Sequence, residues 1–293
     1  MTIAQPTDHD IATNRVGPTV AADGLGSRAA PATLRVIETR RLSERLLHLK
    51  LARDDGAAFA FRAGQFCRVA VPADDAIGWR SYTIATPPSG DGVSDVCEIA
   101  VAAMPGGLAS AYLFGLRPGD RLQASGPFGA FTLPVADPER YILIGTGTGM
   151  APYRAMQAEL ARRAAADALD ITLLIGVRRP QEALHVPDFV DFVRGGMNRR
   201  LAVSYSRMMP NTPSGHETSG HVQQQLQKLT LSPDHDHIML CGNPQMVEEC
   251  TTMVQARGVA PEAITSEKYV AGPAPRRLRR RRRRERGGHP QTL

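Results

Sequence analysis

Cysteine is sparse in this 293-residue chain. The four present, Cys67, Cys97, Cys241 and Cys250, are scattered and show neither disulfide-framework spacing nor a C-x-x-C metal pair. No four-cysteine iron–sulfur pattern exists, and free thiols suit a reducing, cytoplasmic compartment. Long apolar runs are missing too: no stretch reaches the ~18 residues that a transmembrane helix requires. The first residues carry Asp8 and Asp10 without an apolar segment, unlike a secretory signal. No Lys-Ser or Lys-Thr follows the glycine loop discussed below, which excludes a Walker-type phosphate site.

Apolar residues make up 42% of the chain and charged residues 22%, which supports sizeable cores and, at this length, two domains. The formal net charge is +6, yet residues 276–286 alone hold nine Arg and one Glu. Without that local +8 the rest of the chain stands at −2. Binding of nucleic acid or of an acidic surface would therefore rest on the tail alone.

Residues 1–31 lack a sustained period and read as a disordered arm. Residues 32–135 read as all-β. Strands are expected at 34–38, 46–51, 64–71, 80–86, 96–102 and 121–125, with one short helix over 108–114. Short strands between Gly/Pro turns indicate a small barrel or sandwich, and the fold class we assign is an antiparallel Greek-key β-barrel. From 139 to 270 the period changes. Strands at 141–144, 171–175, 201–205, 237–240 and 264–269 alternate with helices at 151–166, 186–195, 219–228 and 244–257. That alternation predicts a doubly wound parallel α/β domain. Residues 271–293, with Gly, Pro and then the Arg run, read as a disordered tail.

The stretch Tyr141 to Pro152 organises the chain. A four-residue apolar strand leads into Gly145-Thr146-Gly147-Thr148-Gly149, and Ala151 and Pro152 open a helix. Glycines and a helix N-terminus converge backbone N–H groups on one point, which favours a phosphate. A ligand-free glycine turn is the plain alternative. Other candidates fall at further strand ends or loops. Arg80-Ser81-Tyr82-Thr83 offers a guanidinium, an aromatic face and hydroxyls, although strand alternation separates Arg80 and Tyr82 from Ser81 and Thr83. The plain alternative is an exposed Arg beside a half-buried Tyr, which is common in barrels and which the segment taken alone favours. Gly107-Leu108-Ala109-Ser110 is a second anion site of the same kind, or a turn whose Ser caps a helix. Ser206 and Arg207, joined by Arg178, suit a phosphate on a ribose, or are solvated surface groups. Cys241-Gly242 ends an apolar strand. There Gly242 permits close approach of a ligand, and Cys241 lines a pocket, serves as a nucleophile (though no His partner lies nearby in sequence) or is simply buried.

Assembled, these segments resemble the ferredoxin–NADP reductase family of flavoproteins over about residues 32–270. Arg80-Ser81-Tyr82-Thr83 is similar to the family's R-x-Y-[ST] flavin motif, Gly107–Ser110 to its G-x-x-[ST] phosphate motif, and Gly145–Pro152 to its NADP loop. Ser206-Arg207 resembles the pair that reads the 2′-phosphate, Cys241-Gly242 the pair beside the nicotinamide, and Glu267-Lys268-Tyr269 the Glu-x-Tyr near which many members end. The resemblance implies that Arg80 holds the FAD pyrophosphate, Tyr82 stacks on the isoalloxazine and Thr83 bonds near its N5. It implies that Thr148 lies close to the nicotinamide and that Tyr269 covers the flavin. Thr83, Cys241, Glu267 and Tyr269 would then surround the reacting atoms.

The expected activity is hydride transfer between NADP(H) and FAD, with electrons passed singly to a separate carrier, ferredoxin or flavodoxin by resemblance. Such carriers are usually acidic, and a basic patch would meet them. Two departures stand out. Met208 replaces the acidic residue often found after the Ser-Arg pair, and the chain continues for 24 residues past Tyr269. The rival enzyme reading is an NAD(P)H-dependent flavin reductase or oxygenase-component reductase. The rival outside enzymes is a polyanion-binding protein acting through the Arg tail.

Overall fold

The structure is a computed structural model that describes residues 30–73, 76–166 and 169–270. The expected arm, up to residue 29, and the Arg-rich tail, 271–293, lie outside the described residues.

The first half forms strands β1 (Ala32–Ser43), β2 (Leu46–Arg53), β3 (Phe59–Ala60), β4 (Phe66–Ala73), β5 (Ala76–Thr83), β6 (Val93–Ser94), β7 (Cys97–Ala102) and β8 (Arg121–Phe128), with helix α1 (Leu108–Gly115) before β8. Six of the strands make one antiparallel sheet in the order β5-β4-β8-β1-β2-β7. The sheet curls until its ends meet. Ile84 bridges Ile99, and the Ala85 N–H donates to the Glu98 carbonyl at 2.7 Å. Leu34, Val36, Leu47, Leu49, Leu51, Val69, Ile99 and Leu122 fill the interior.

The run Leu46-Leu47-His48-Leu49 has no clean alternation because both of its faces are covered. Leu47 and Leu49 point into the barrel, while Leu46 packs with Ala100 and Leu184 against the second half of the chain. The barrel differs from the expectation in length. β1 runs on to Ser43 and β8 to Phe128, and a two-residue pair, β3 with β6, lies apart. Polar and charged residues on the outer faces of β1 and β8 hide their ends in the sequence.

The second half holds β9 (Arg140–Thr146), α2 (Ala151–Ala166), β10 (Asp170–Val177), α3 (Val186–Arg194), β11 (Arg199–Tyr205), β12 (Glu217–Ser219), α4 (Val222–Lys228), β13 (Asp236–Gly242), α5 (Pro244–Gln255) and β14 (Ile264–Lys268). The six strands are parallel, in the order β12-β11-β10-β9-β13-β14. Alternate residues of each central strand serve two apolar layers. Tyr141, Leu143, Met239 and Cys241 pack with α2 and α3, while Ile142, Ile144, Ile238 and Leu240 pack with α4 and α5. That is why these strands read as unbroken apolar runs.

β12 was not expected, and α4 begins at Val222 rather than 219. Three residues, Glu217, Thr218 and Ser219, at a sheet edge carry too little apolar pattern to register as a strand. The chain leaves β9 outward through β10, β11 and β12, then returns to β13 on the other side of β9. The strand order therefore reverses between β9 and β13, and ligands of such sheets bind in the crevice beyond that point.

Candidate active site

Two loops meet at the reversal. Gly145 and Thr146 end β9, and a short 3-10 turn, Gly147–Met150, carries the chain into α2. Cys241 and Gly242 end β13. The loops are locked together: the Asn243 N–H donates to Thr146 Oγ1 at 2.9 Å. A Cβ on Gly149 would lie 2.4 Å from the Cys241 carbonyl oxygen, and one on Gly242, at φ +123°, 2.6 Å from Thr146 O. Gly147 is the exception. Its φ is +57°, and a Cβ there would meet nothing within 4 Å. The loop is thus pressed on the sheet at Gly149 and open at Gly147, leaving a cradle at a helix N-terminus of the kind that holds a phosphate. Thr148 is half-buried beside it.

The barrel contributes β5. Its register sets Arg80 across from Val69 and Tyr82 across from Cys67, on the inward side where the sheet end opens; Ser81 faces outward across from Arg68. Arg80 is half-buried, and its Nη1 donates to Trp79 O at 3.0 Å. Tyr82 packs against the barrel core, and burial pushes its hydroxyl up to about 12. Leu108 and Ala109 begin α1, with Gly107 as its N-cap and no capping side chain. Ser110 is buried, and its hydroxyl donates to Gly107 O at 3.0 Å and accepts from Met104 N–H at 3.1 Å. The hydroxyl thereby closes the loop, and the site offered there consists of backbone.

Thr83 is where the two halves join. It is buried at the end of β5, and its hydroxyl hydrogen-bonds the hydroxyl of Tyr269, just past β14. Tyr269 is anchored by its N–H, which donates to Gly242 O at 2.8 Å. Its ring packs against the core cluster that includes Cys241. Burial raises the Cys241 thiol, which therefore stays protonated and is a poor nucleophile at neutral pH. Burial also raises the Tyr269 hydroxyl and pushes the Glu267 carboxyl up to about 7. Thr83, Cys241, Glu267 and Tyr269, expected together, form one group of mostly uncharged side chains at the seam.

On the far side of β10, Ser206, Arg207 and Arg178 also converge. The N–H groups of Arg207 and Met208 both donate to Arg178 O at 3.1 Å, and the two guanidinium groups are exposed. Seam residues that sequence reading passes over are Arg154, Glu98, Asp188, His48 and His185. His48 is visible as a polar break in an apolar strand, but its partners are distant in sequence.

Residues 33–133 match the oxidoreductase FAD-binding domain family, and residues 143–252 match the oxidoreductase NAD-binding domain family. The chain is 31% identical over 250 residues to ferredoxin–NADP reductase B of Sorangium cellulosum, spanning 83% of this chain and 99% of that one. The chain belongs to the ferredoxin–NADP reductase family. It is an oxidoreductase with FAD and NAD(P) as its cofactors. It is also 29% identical over 252 residues to the toluate 1,2-dioxygenase electron transfer component of Pseudomonas putida, covering 86% of this chain and 71% of that protein. A ferredoxin–NADP reductase from Neisseria gonorrhoeae, solved with FAD and NADP, shares the fold at a TM-score of 0.69 and 21% identity, covering 82% of this chain and 99% of its own. Among the described residues no helix is long and apolar enough to cross a membrane.

Proposed function

We propose that this chain takes hydride from NADPH onto FAD and passes electrons one at a time to a separate ferredoxin- or flavodoxin-type carrier. The observation that carries the reading is the joining of Thr83, from the barrel, to Tyr269, beside Cys241 and Gly242 at the reversal of the parallel sheet. When bound, FAD and NADPH supply the exchange itself, between flavin N5 and nicotinamide C4. We assign residues 32–135 to FAD and 139–270 to the nucleotide.

In this reading Arg80 neutralises the FAD pyrophosphate, helped by the backbone of Gly107, Leu108, Ala109 and Ser110 at the start of α1. Tyr82 offers its face to the isoalloxazine, with Ser81 directed away on the outer face. Backbone groups from Gly145, Thr146, Gly147, Thr148 and Gly149 bind the dinucleotide pyrophosphate. Arg178, Ser206 and Arg207 hold the 2′-phosphate. Tyr269 guards the place the nicotinamide must enter, and Thr83, Cys241 and Glu267 shape it without adding full charge near neutral pH. Alignment, more than proton transfer, is what such a site contributes.

A second reading is an oxygenase-component reductase. Met208, where an acidic residue is often found after the Ser-Arg pair, and the similarity to the toluate dioxygenase component support it. Anaerobic reduction followed by turnover with ferredoxin, flavodoxin and free flavin separates the two. Fast turnover with the carrier proteins fits the first reading. Turnover confined to free flavin, or driven only by NADH, removes it.

A further inference from the structure

Outside the hydride site, the seam holds one charged cluster built around Arg154. This residue lies on the first turn of α2, five positions after Gly149, and its side chain is 19% exposed. Its Nη1 donates to the Ala85 carbonyl at 2.9 Å and pairs with the Glu98 carboxylate. Its Nε donates to Asp188 Oδ2 at 2.7 Å. Three elements thus converge on one planar fork: the chain just past β5, strand β7, and helix α3.

The partners are themselves fixed. Ala85 stands two residues after Thr83 and is tied to Glu98 through the backbone, and Glu98 N–H donates to Thr86 Oγ1 at 2.7 Å. Asp188 also faces His185 Nδ1 at 3.4 Å. His185 caps α3 with a left-handed backbone, φ 57°, and meets His48 of β2 edge to face at 5.5 Å. The charged groups facing this pair are Glu98, Arg154 and Asp188, with Arg40 beside His48. Burial lowers both imidazoles, His48 to about 4, so neither competes with Arg154 for the carboxylates at neutral pH.

We propose that Arg154 is a positioning residue for hydride transfer, clamping the helix that opens from the Gly145–Gly149 loop onto the barrel beside Thr83. This rests on the proposed function. Arg154 lies about one helical turn along the chain from the nucleotide loop, and the Ala85 carbonyl that its guanidinium holds is two residues from Thr83. It therefore sets the spacing of the two halves where alignment governs rate. Lysine replaces it only in part, because one ammonium lacks the fork that reaches Ala85 O, Glu98 and Asp188 together.

The test compares the FAD-loaded wild type with Arg154→Met and Arg154→Lys. Both variants retain FAD and bind NADPH with a dissociation constant close to wild type. Hydride transfer in stopped flow falls by about 10- to 100-fold in Arg154→Met, the loss expected of a small misplacement, and by less in Arg154→Lys. The long-wavelength charge-transfer absorption of the nucleotide complex weakens in parallel. Hydrogen–deuterium exchange rises over residues 84–102 and 180–194 and stays unchanged over β10. If Arg154→Met does not fold, Glu98→Gln, which removes one partner's charge, shows the same pattern more weakly. Wild-type rates, charge-transfer absorption and exchange in the variant that folds overturn the proposal. A wild type that accepts no hydride from NADPH removes the proposed function instead; the exchange difference then decides the clamp, and unchanged exchange overturns it.

Discussion

The hydroxyl of Tyr269 hydrogen-bonds the hydroxyl of Thr83, joining residues 186 positions apart. One ends the strand of the barrel that carries Arg80 and Tyr82; the other follows the last strand of the α/β sheet. Thr83→Val keeps the shape and removes this bond. It leaves the Tyr269 hydroxyl short of a partner in a buried place, at a cost of about 1 kcal/mol. Denaturant unfolding should show that loss, and hydride transfer should slow while FAD stays bound. An unchanged rate would show that the seam contact does not serve the reaction.

Gly147 and Gly149 separate packing from binding. Gly149→Ala drives a Cβ into the Cys241 carbonyl at 2.4 Å, so the loop must move away from β13. Stability and NADPH reduction should both suffer. Gly147→Ala meets no neighbour within 4 Å but must hold φ +57°, a strain of about 1–2 kcal/mol. Its methyl enters the cradle assigned to phosphate, so nucleotide binding should be lost while the protein remains yellow. Titration with NADPH, followed by flavin absorbance, checks both variants.

Much of this architecture was legible in advance because it is written in local periods. The change from short alternating strands to apolar strands with intervening helices marks the passage from barrel to parallel sheet. The glycine loop stands out because Gly145, Gly147 and Gly149 fall between an apolar strand and a helix start. What was not legible depends on distant partners. Glu217–Ser219 becomes a strand only because β11 lies beside it. Ser110 looks like a ligand group, yet its hydroxyl is taken by its own loop. Arg154 looks like any helix-surface arginine until Ala85, Glu98 and Asp188 are brought around it.

The Glu267 carboxyl gives a pH signature with a definite sign. Burial moves it from 4.5 in the unfolded chain to about 7 in the folded one. Between those values the folded state holds a proton that the unfolded state has released, so stability falls as pH rises. His48, pushed down from 6.5 to about 4, acts in the opposite sense, its contribution being lost as pH falls through that window. Comparing wild type with Glu267→Gln removes the histidine effect. Relative to the variant, wild-type stability should decline from pH 4.5 to 7 and level off above. A flat difference in urea midpoints would contradict the burial of that carboxyl.

Arg140 provides a control far from the chemistry. It pairs bidentately with Asp236, which is 1% exposed, at 2.8 and 2.6 Å, tying the starts of β9 and β13. Arg140→Met strands that carboxylate and should cost about 3–5 kcal/mol. Thermal or denaturant unfolding measures the loss. Hydride transfer, at the opposite end of the strands, should keep its rate in the fraction that remains folded.

In the proposed function, coenzyme choice rests on Arg207 and Arg178. Arg207→Ala should raise the NADPH dissociation constant by about 10-fold or more, the worth of a charge-assisted bond, and leave NADH nearly unchanged. Isothermal titration with both coenzymes reads this directly, and equal losses for the two would mean that Arg207 does not contact the 2′-phosphate.

In the proposed reaction, hydride passes from NADPH to bound FAD across the Thr83–Tyr269 seam. Anaerobic stopped-flow mixing of the purified yellow protein with NADPH tests it most directly. The expected result is rapid bleaching of the flavin's blue absorption, much faster with NADPH than with NADH. A colourless protein that takes up no FAD, or a flavin that NADPH leaves oxidised, would contradict it.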